Sequence, residues 1–299
     1  MSSIQLVEVG PRDGLQNEAV PFSTEEKIYL IESLALAGLD RIEVASFAHP
    51  KRVPQMADAE AVIGGLSDFS RERGIGLILN ERGMERAIAT GIPEVHFVVV
   101  ASDTFAERNQ ASSTKGLIET WHRVAAMAQQ AGIRASVGVA AAFGCPFEGE
   151  VPPSRVMEII EDVAGSSPTE IGIADTIGSG VPRQVETLVR MAKSRIGDIP
   201  LRCHFHNTRN SGIANAYVAA NEGCDVLDSS VGGIGGCPFA PKATGNISTE
   251  DVAWMLSRSG FELNVDLERL FSATAWLSEK LARPSDSLVF RAGVFPGRS

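Results

Sequence analysis

Short β-rich runs alternate with helical patterns along the whole chain, and no other feature narrows the fold so far. Strands are expected near residues 4–9, 41–45, 76–79, 95–100, 135–141, 170–174, 201–206 and 226–229. Helical periodicity follows each, for example at 24–37, 81–90 and 211–221. Ser23 or Thr24 ahead of Glu25 and Glu26 marks a capped helix start, because a hydroxyl can accept the free N–H groups of a first turn. Gly38 marks the stop. Strand–helix alternation builds parallel sheets. Eight units suit a closed (β/α)8 TIM barrel, an α/β fold that commonly occupies about 250 residues. An open doubly wound sheet normally has fewer strands, and no G-x-G-x-x-G follows the first one. No linker divides the sequence, so residues 1–299 read as a single domain. Residues from about 248 to 299 read as its helical C-terminal part, the last of them an extension beyond the eighth unit.

Composition excludes several classes of partner. The hydrophobic fraction, 44%, is ample for a large core. A formal net charge of -10 opposes the phosphate attraction behind non-specific nucleic-acid binding, so no nucleic-acid partner is expected. Apolar stretches are only strand-length, so no membrane span is expected. Cys145, Cys203, Cys224 and Cys237 form no CxxC pair, which points to reduced thiols in a cytoplasmic protein. A strand beginning by Ile4 leaves no room for a signal or transit peptide.

A barrel of this type keeps its chemistry at the C-terminal strand ends and the loops after them. Here those ends carry Arg12-Asp13-Gly14-Leu15-Gln16, then Glu43 with Ser46-Phe47, then Asp175-Thr176. Strand seven supplies His204-Phe205-His206-Asn207. A glycine-rich loop, 232–236, follows strand eight and leads to Cys237, with Gly245-Asn246 beyond it. Strand side chains alternate with a period of two, so His204 and His206 face the same way. If they face inward, leaving them unpaired costs roughly 1–3 kcal/mol each. A divalent cation would satisfy both together; the competing reading is two surface or core-satisfied histidines. Barrel closure puts strand eight between seven and one, so Asp13, His204, His206 and Asn246 can reach a common point. A carboxylate, two imidazoles and an amide oxygen suit Mg²⁺ or Mn²⁺, with Zn²⁺ a further candidate. Taken singly, Asp13 reads as a turn cap and Asn246 as a helix cap. Arg12, beside this point, needs an anionic partner, and Glu43 on the neighbouring strand provides one. The pair reads as a structural bridge, as a source of donors for developing negative charge, or as both. Cys237 reads either as a thiol on a movable loop or as a small buried apolar side chain. Cys145, in a similar Gly-Cys-Pro-Phe string, cannot be ranked against it.

The segment Val7-Glu8-Val9-Gly10-Pro11-Arg12-Asp13-Gly14-Leu15-Gln16-Asn17-Glu18 resembles the N-terminal signature of the 3-hydroxy-3-methylglutaryl-CoA lyases. These enzymes belong to the metal-dependent, pyruvate-carboxyltransferase-like barrels that also include 2-isopropylmalate synthase. The likeness continues, in the family's order, at Ile42-Glu43, Ser46-Phe47, Pro50-Lys51, Val53-Pro54-Gln55-Met56, Gly144-Cys145-Pro146, Asp175-Thr176-Ile177-Gly178, Asp228-Ser229-Ser230-Val231, Gly235-Gly236-Cys237-Pro238 and Gly245-Asn246. It implies that Asp13, His204, His206 and Asn246 bind the cation. It implies catalytic roles for Arg12 at the enolate, for Cys237 on a mobile loop, and for Glu43, Asp175 and His204, with Arg12, Gln16 and Ser46 touching substrate. The implied reaction is retro-Claisen cleavage of a 3-hydroxyacyl-CoA, in the first place 3-hydroxy-3-methylglutaryl-CoA of leucine degradation, with citramalyl-CoA as an alternative. His204, Asp13 and the Cys237 loop are all candidates for taking the first proton. A homodimer is a further expectation from the resemblance.

The sequence also departs from that pattern. Asn207 stands where an aspartate is expected, Gly172 where a serine is, and Ala19 where a lysine is, and no cysteine lies near the C-terminus. Three rival readings can be weighed. A synthase condensing acyl-CoA with a 2-keto acid commonly carries a long C-terminal regulatory extension, which is missing here. A metal-dependent hydrolase typically places His-x-His after strand one, where this chain has Arg12-Asp13. A non-catalytic CoA-binding protein would not need an arginine, a full ligand set and a mobile thiol together.

Overall fold

The computed structural model describes residues 3–236, 245–293 and 295. Among them, eight parallel strands close into the expected barrel: β1 Gln5–Glu8, β2 Arg41–Ser46, β3 Gly74–Ile78, β4 Glu94–Val100, β5 Arg134–Ala140, β6 Ile171–Asp175, β7 Leu201–Phe205 and β8 Val226–Ser229. The observed ends fall within two residues of the expected ones, because each run is bounded by turn chemistry on one side and a helix cap on the other. β8 pairs with β1 (Gln5 opposite Val226) and with β7 (Val226 opposite Arg202), so the ends of β7, β8 and β1 are contiguous.

The first helix, Thr24–Leu36, shows how local sequence sets these boundaries. Ser23 Oγ accepts the Glu26 N–H, and the Glu26 carboxylate accepts the Ser23 N–H, so both free donors are satisfied. Ser23, not Thr24, is therefore the cap. The helix stops at Gly38, whose φ of +90° disfavours any side chain. A Cβ there would sit 2.1 Å from the Asn264 carbonyl oxygen.

Thr249–Arg258 completes the helical ring as the eighth unit, and Leu267–Leu281 and Leu288–Ala292 run beyond it. Trp276 on this extension stacks near Tyr29 and Phe22, with ring centroids 4.8 and 6.2 Å apart, tying the C-terminal part to the first helix. The string around Cys145 forms a two-residue hairpin, Gly144–Cys145 against Gly149–Glu150, which strand periodicity could not reveal at that length. No helix among the described residues is long and apolar enough to cross a membrane.

Candidate metal centre and active site

The chain enters the site at Val9, the last inward residue of the first unit. Val9 carbonyl oxygen accepts the N–H groups of Arg12, Asp13 and Gly14 at 3.2, 2.7 and 3.2 Å, winding Gly10–Gly14 into one wide helical turn. That turn projects Arg12 and Asp13 over the mouth of the barrel. Asp13, His204 and His206 each place a potential ligand atom within 4.8 Å of the other two. The histidine rings lie 5.0 Å apart, both facing a cavity of about 720 Å³, as their alternation on β7 requires.

Asn246 joins them. Its backbone bridges to His206, and its Nδ2 donates to Asp13 Oδ2 at 2.8 Å. Two buried atoms in this cluster, His206 Nδ1 and Asn246 Oδ1, have no hydrogen-bond partner among the described residues. Orphaned acceptors of this kind are costly unless something electrophilic meets them. A carboxylate, two imidazoles and an amide that leave ligand atoms unspent fit a divalent cation.

The electrostatics run in the same direction. Burial pushes the Asp13 carboxyl up, but Arg12, His204, His206 and the Asn246 amide outweigh it and hold it below its usual range. Burial lowers His206 to about 4, helped by the charge of His204, so His206 is a neutral imidazole and a competent ligand. His204 behaves differently. Burial works against its charged form, yet the Asp228 carboxylate, 3.0 Å from Nδ1, and Asp13 raise its pKa. Asp228 thereby fixes the ring and leaves Nε2 as the free nitrogen.

Arg12 donates through Nε to Glu43 at 2.7 Å, through Nη2 to the same carboxylate, and through Nη1 to Asp13 at 2.7 Å. Three of a guanidinium's five N–H donors are thus used, and one remains on each terminal nitrogen. Glu43 is fully buried, and its other oxygen accepts from Arg202 Nη2 at 2.9 Å. Arg202 in turn bonds Asp228 and lies 3.6 Å from Glu170, which pairs with Arg41. A chain of alternating charge therefore runs up the barrel interior to the cluster.

The other expected site residues are spread more widely. Gln16 and Ser46 line the same cavity, Gln16 with a buried Oε1 that has no partner among the described residues. Asp175 does not line it; its oxygens accept the N–H groups of Ser179 and Gly180 at 2.8 and 2.9 Å, bracing the turn after β6. Burial raises its pKa against those bonds. Cys145 is packed away, with Sγ 2.9 Å from Ser102 Oγ and accepting the Phe147 and Glu148 amides. Cys237 lies outside the described residues. Sequence reasoning gave no role to Arg202, Asp228 or His96. Arg202 stands two residues before His204 on an inward-facing strand, so the alternation already used for the histidines would have found it.

The HMGL-like family profile matches residues 3–276. The chain belongs to the HMGL-like family. It is 40% identical to the (R)-citramalyl-CoA lyase of Chloroflexus aurantiacus, covering 99% of this chain and 97% of the relative. It is 39% identical to a hydroxymethylglutaryl-CoA lyase of Bacillus subtilis, covering 95% of each. Among solved structures, an HMG-CoA lyase from Acinetobacter baumannii in complex with coenzyme A and 3-methylmalate superposes with a TM-score of 0.94. It is 34% identical and covers 99% of this chain and 97% of that one. The HMGL-like barrel described here is thus a hydroxymethylglutaryl-CoA lyase-like enzyme, a carbon–carbon lyase with a candidate divalent-metal site.

Proposed function

We propose that the chain cleaves a 3-hydroxyacyl-CoA by a divalent-metal-dependent retro-Claisen reaction, with 3-hydroxy-3-methylglutaryl-CoA the first candidate substrate. The observation that carries this reading is the Asp13–His204–His206 cluster with Arg12, its spare donors available, at the same mouth. Asp13, His204, His206 and Asn246 would hold the cation, Mg²⁺ or Mn²⁺. When bound, it would supply Lewis acidity to the hydroxyl and carbonyl oxygens of a chelated substrate.

The chain's own groups account for the rest. The C3 hydroxyl loses its proton, the C2–C3 bond breaks, and the bonding electrons leave as the enolate of acetyl-CoA. The former hydroxyl carbon becomes the ketone of acetoacetate. A proton delivered to C2 completes the balance. Arg12 offers its two unused N–H groups to the enolate oxygen, and Glu43 fixes the guanidinium plane from behind. His204, Asp13 and Cys237 are the candidates for proton transfer, Gln16 and Ser46 for substrate contact. Asp175 acts through the turn it braces. Arg52, exposed at the rim of the cavity, is a cation within reach of the CoA phosphates. Assembly as a homodimer and a cytoplasmic location accompany this reading.

Citramalyl-CoA is the second reading. It is favoured by the relative 40% identical to this chain that bears that activity in its name. The deciding measurement is kcat/KM on a panel of 3-hydroxyacyl-CoA thioesters with Mg²⁺ and Mn²⁺. A preference of about a hundredfold for one acyl group settles the substrate, since one methylene is worth roughly 10–200-fold. Cleavage of no member sinks the lyase reading. Arg12→Gln should keep metal and thioester binding while kcat falls by about 10²–10³, as for loss of an oxyanion donor.

A further inference from the structure

Asn246 can serve a cation only if its amide oxygen, and not its nitrogen, faces the cluster. Both Nδ2 hydrogens are committed, one to Asp13 Oδ2 at 2.8 Å and one to the Ile234 carbonyl oxygen at 3.3 Å. Turned over, the amide would set its oxygen against these two acceptors, so the pair decides which end faces inward. Oδ1 is left buried, with no partner among the described residues. Asp13 is itself a proposed ligand. The Ile234 carbonyl is backbone, and its place depends on the turn that leads to it.

That turn, Val231–Gly233, follows β8 and bends through two consecutive left-handed glycines, Gly232 at φ +65° and Gly233 at φ +71°. Glycine adopts this conformation without strain but also leaves it easily, so the shape depends on bonds from outside. Gly232 is gripped on both edges. Its N–H donates to the two Glu250 oxygens at 2.9 and 3.1 Å. Its carbonyl oxygen accepts the Asp286 N–H at 3.1 Å and the Ser285 hydroxyl at 3.2 Å. Beyond it, Ile234 closes over the turn that bears Asp13: a Cβ at Gly14 would lie 2.6 Å from Ile234 Cγ1.

Glu250 stands in the helix Thr249–Arg258, fully buried, and the Thr274 hydroxyl donates to its carboxylate. Among the described residues no ion pair reaches it, and burial raises its pKa to about 7. A buried carboxyl without a cation is costly, and the bonds it makes here go to one backbone amide and one hydroxyl. Thr274, Ser285 and Asp286 all lie in the extension beyond the barrel.

We propose that Glu250 is a positioning residue for the cation site. Holding the Gly232 peptide against Ser285 and Asp286, it places the Ile234 carbonyl, which turns the Asn246 oxygen towards the cation. The C-terminal extension thereby contributes to a site that none of its described side chains lines.

The inference rests on Asn246 as a ligand, so its test reads cation binding and leaves turnover aside. The Kd for Mn²⁺ is measured by electron paramagnetic resonance on the full native chain, Glu250→Ala, Asn246→Ala and the double variant, each with a melting curve. Glu250→Ala should weaken Mn²⁺ by about 10–100-fold, the usual effect of losing the outer partner of a ligand. Asn246→Ala should weaken it at least as far. In that background Glu250→Ala should cost less than about threefold more, since no amide is left to turn. Glu250→Gln, whose amide oxygen can still accept from Gly232, should restore most of the affinity lost in Glu250→Ala. Thr274→Val is the milder variant should Glu250→Ala not fold, with an expected loss of about three- to tenfold and the same non-additivity. A merely structural role would add in full to Asn246→Ala, and that result overturns the proposal. Native affinity in both Glu250→Ala and Thr274→Val overturns it as well. Asn246→Ala with native affinity removes Asn246 as a ligand and the positioning role with it. Normal Mn²⁺ binding with the expected non-additivity, in a chain that cleaves no thioester, sinks the lyase reading and leaves the positioning role standing.

Discussion

The two sides of the cavity are built from opposite materials. One, from β7, β8, the turn after β1, and β2, presents Arg202, His204, His206, Asp228, Arg12, Asp13 and Glu43. The other presents Leu77, Val98, Val100, Gly138, Ala140, Gly172 and Ala174 from β3 to β6, with His96 the polar exception on the strands and Asn80, Asn109, Gln110 and Thr176 adding polar groups from the segments after them. On the first side most polar atoms are committed to a partner; among the described residues of this wall, His206 Nδ1 and Arg202 Nη1 are the buried exceptions. On the second side there is little to commit, and what varies is room. Under the proposed function the bond-breaking step falls to the first wall, while the second sets how much room an acyl group has, so changes in one should leave the other's contribution intact.

Removing a proposed ligand is the strongest way to break that division. His204→Ala or Asp13→Ala should abolish detectable turnover and lower cation affinity by more than the roughly 10–100-fold typical of losing an outer partner. Chelation of the native enzyme should do the same while the circular dichroism of the barrel is kept. Full activity in metal-free protein would refute the assignment of the whole charged wall.

A smaller effect is expected one bond further out. Asp228→Asn keeps the shape but removes the carboxylate that holds His204 Nδ1 and answers Arg202. Cation affinity should fall by about 10–100-fold, with the ranking of acyl substituents unchanged. A reordered ranking would show that the two walls are coupled.

How much of this was legible beforehand differs between the walls in the same way. The barrel, its strand order and the gathering of Asp13, His204 and His206 at one mouth follow from alternation and closure, because these are chemically unusual residues at positions where inward side chains end. The Arg12–Glu43 pair was equally readable, since a guanidinium there demands an anion. The small-residue wall was legible only in part. Gly172 stands out in the sequence where a serine is expected, whereas Gly138 reads as an ordinary strand glycine, and only the register makes the two neighbours across β5 and β6. The His96–Ser136 contact spans forty residues, and nothing local announces it. Ser23 as the cap and the Cys145 hairpin were likewise decided by geometry at the scale of one residue. Asp175, by contrast, was expected at the chemistry, and its oxygens are spent on Ser179 and Gly180.

The mildest test concerns what holds the charged wall from behind. Glu8, fully buried outside the cavity, accepts the Gly10 N–H at 2.7 Å and the Val231 N–H at 2.9 Å with one oxygen, and the Thr249 hydroxyl at 2.6 Å with the other. It so ties the turn bearing Arg12 and Asp13 to the end of β8. Burial is the dominant influence and raises its pKa from 4.5 to about 8, against the lowering effect of those three bonds. A carboxyl raised on folding binds its proton more tightly in the native state, so its stabilising contribution is whole below pH 4.5 and is lost as pH climbs through about 8. Glu8→Gln resembles the protonated form and cannot ionise. The variant and the native chain should therefore melt together near pH 5, and the variant should gain relative to the native chain by roughly a few degrees towards pH 8.5. Glu250, raised by burial to about 7, and the depressed carboxyls Asp13 and Asp228 titrate in both proteins, so their effects largely cancel in the difference. A difference in melting temperature that stays flat from pH 5 to 8.5 would mean that Glu8 is ionised throughout, holding the turn as a charge rather than as a neutral acid.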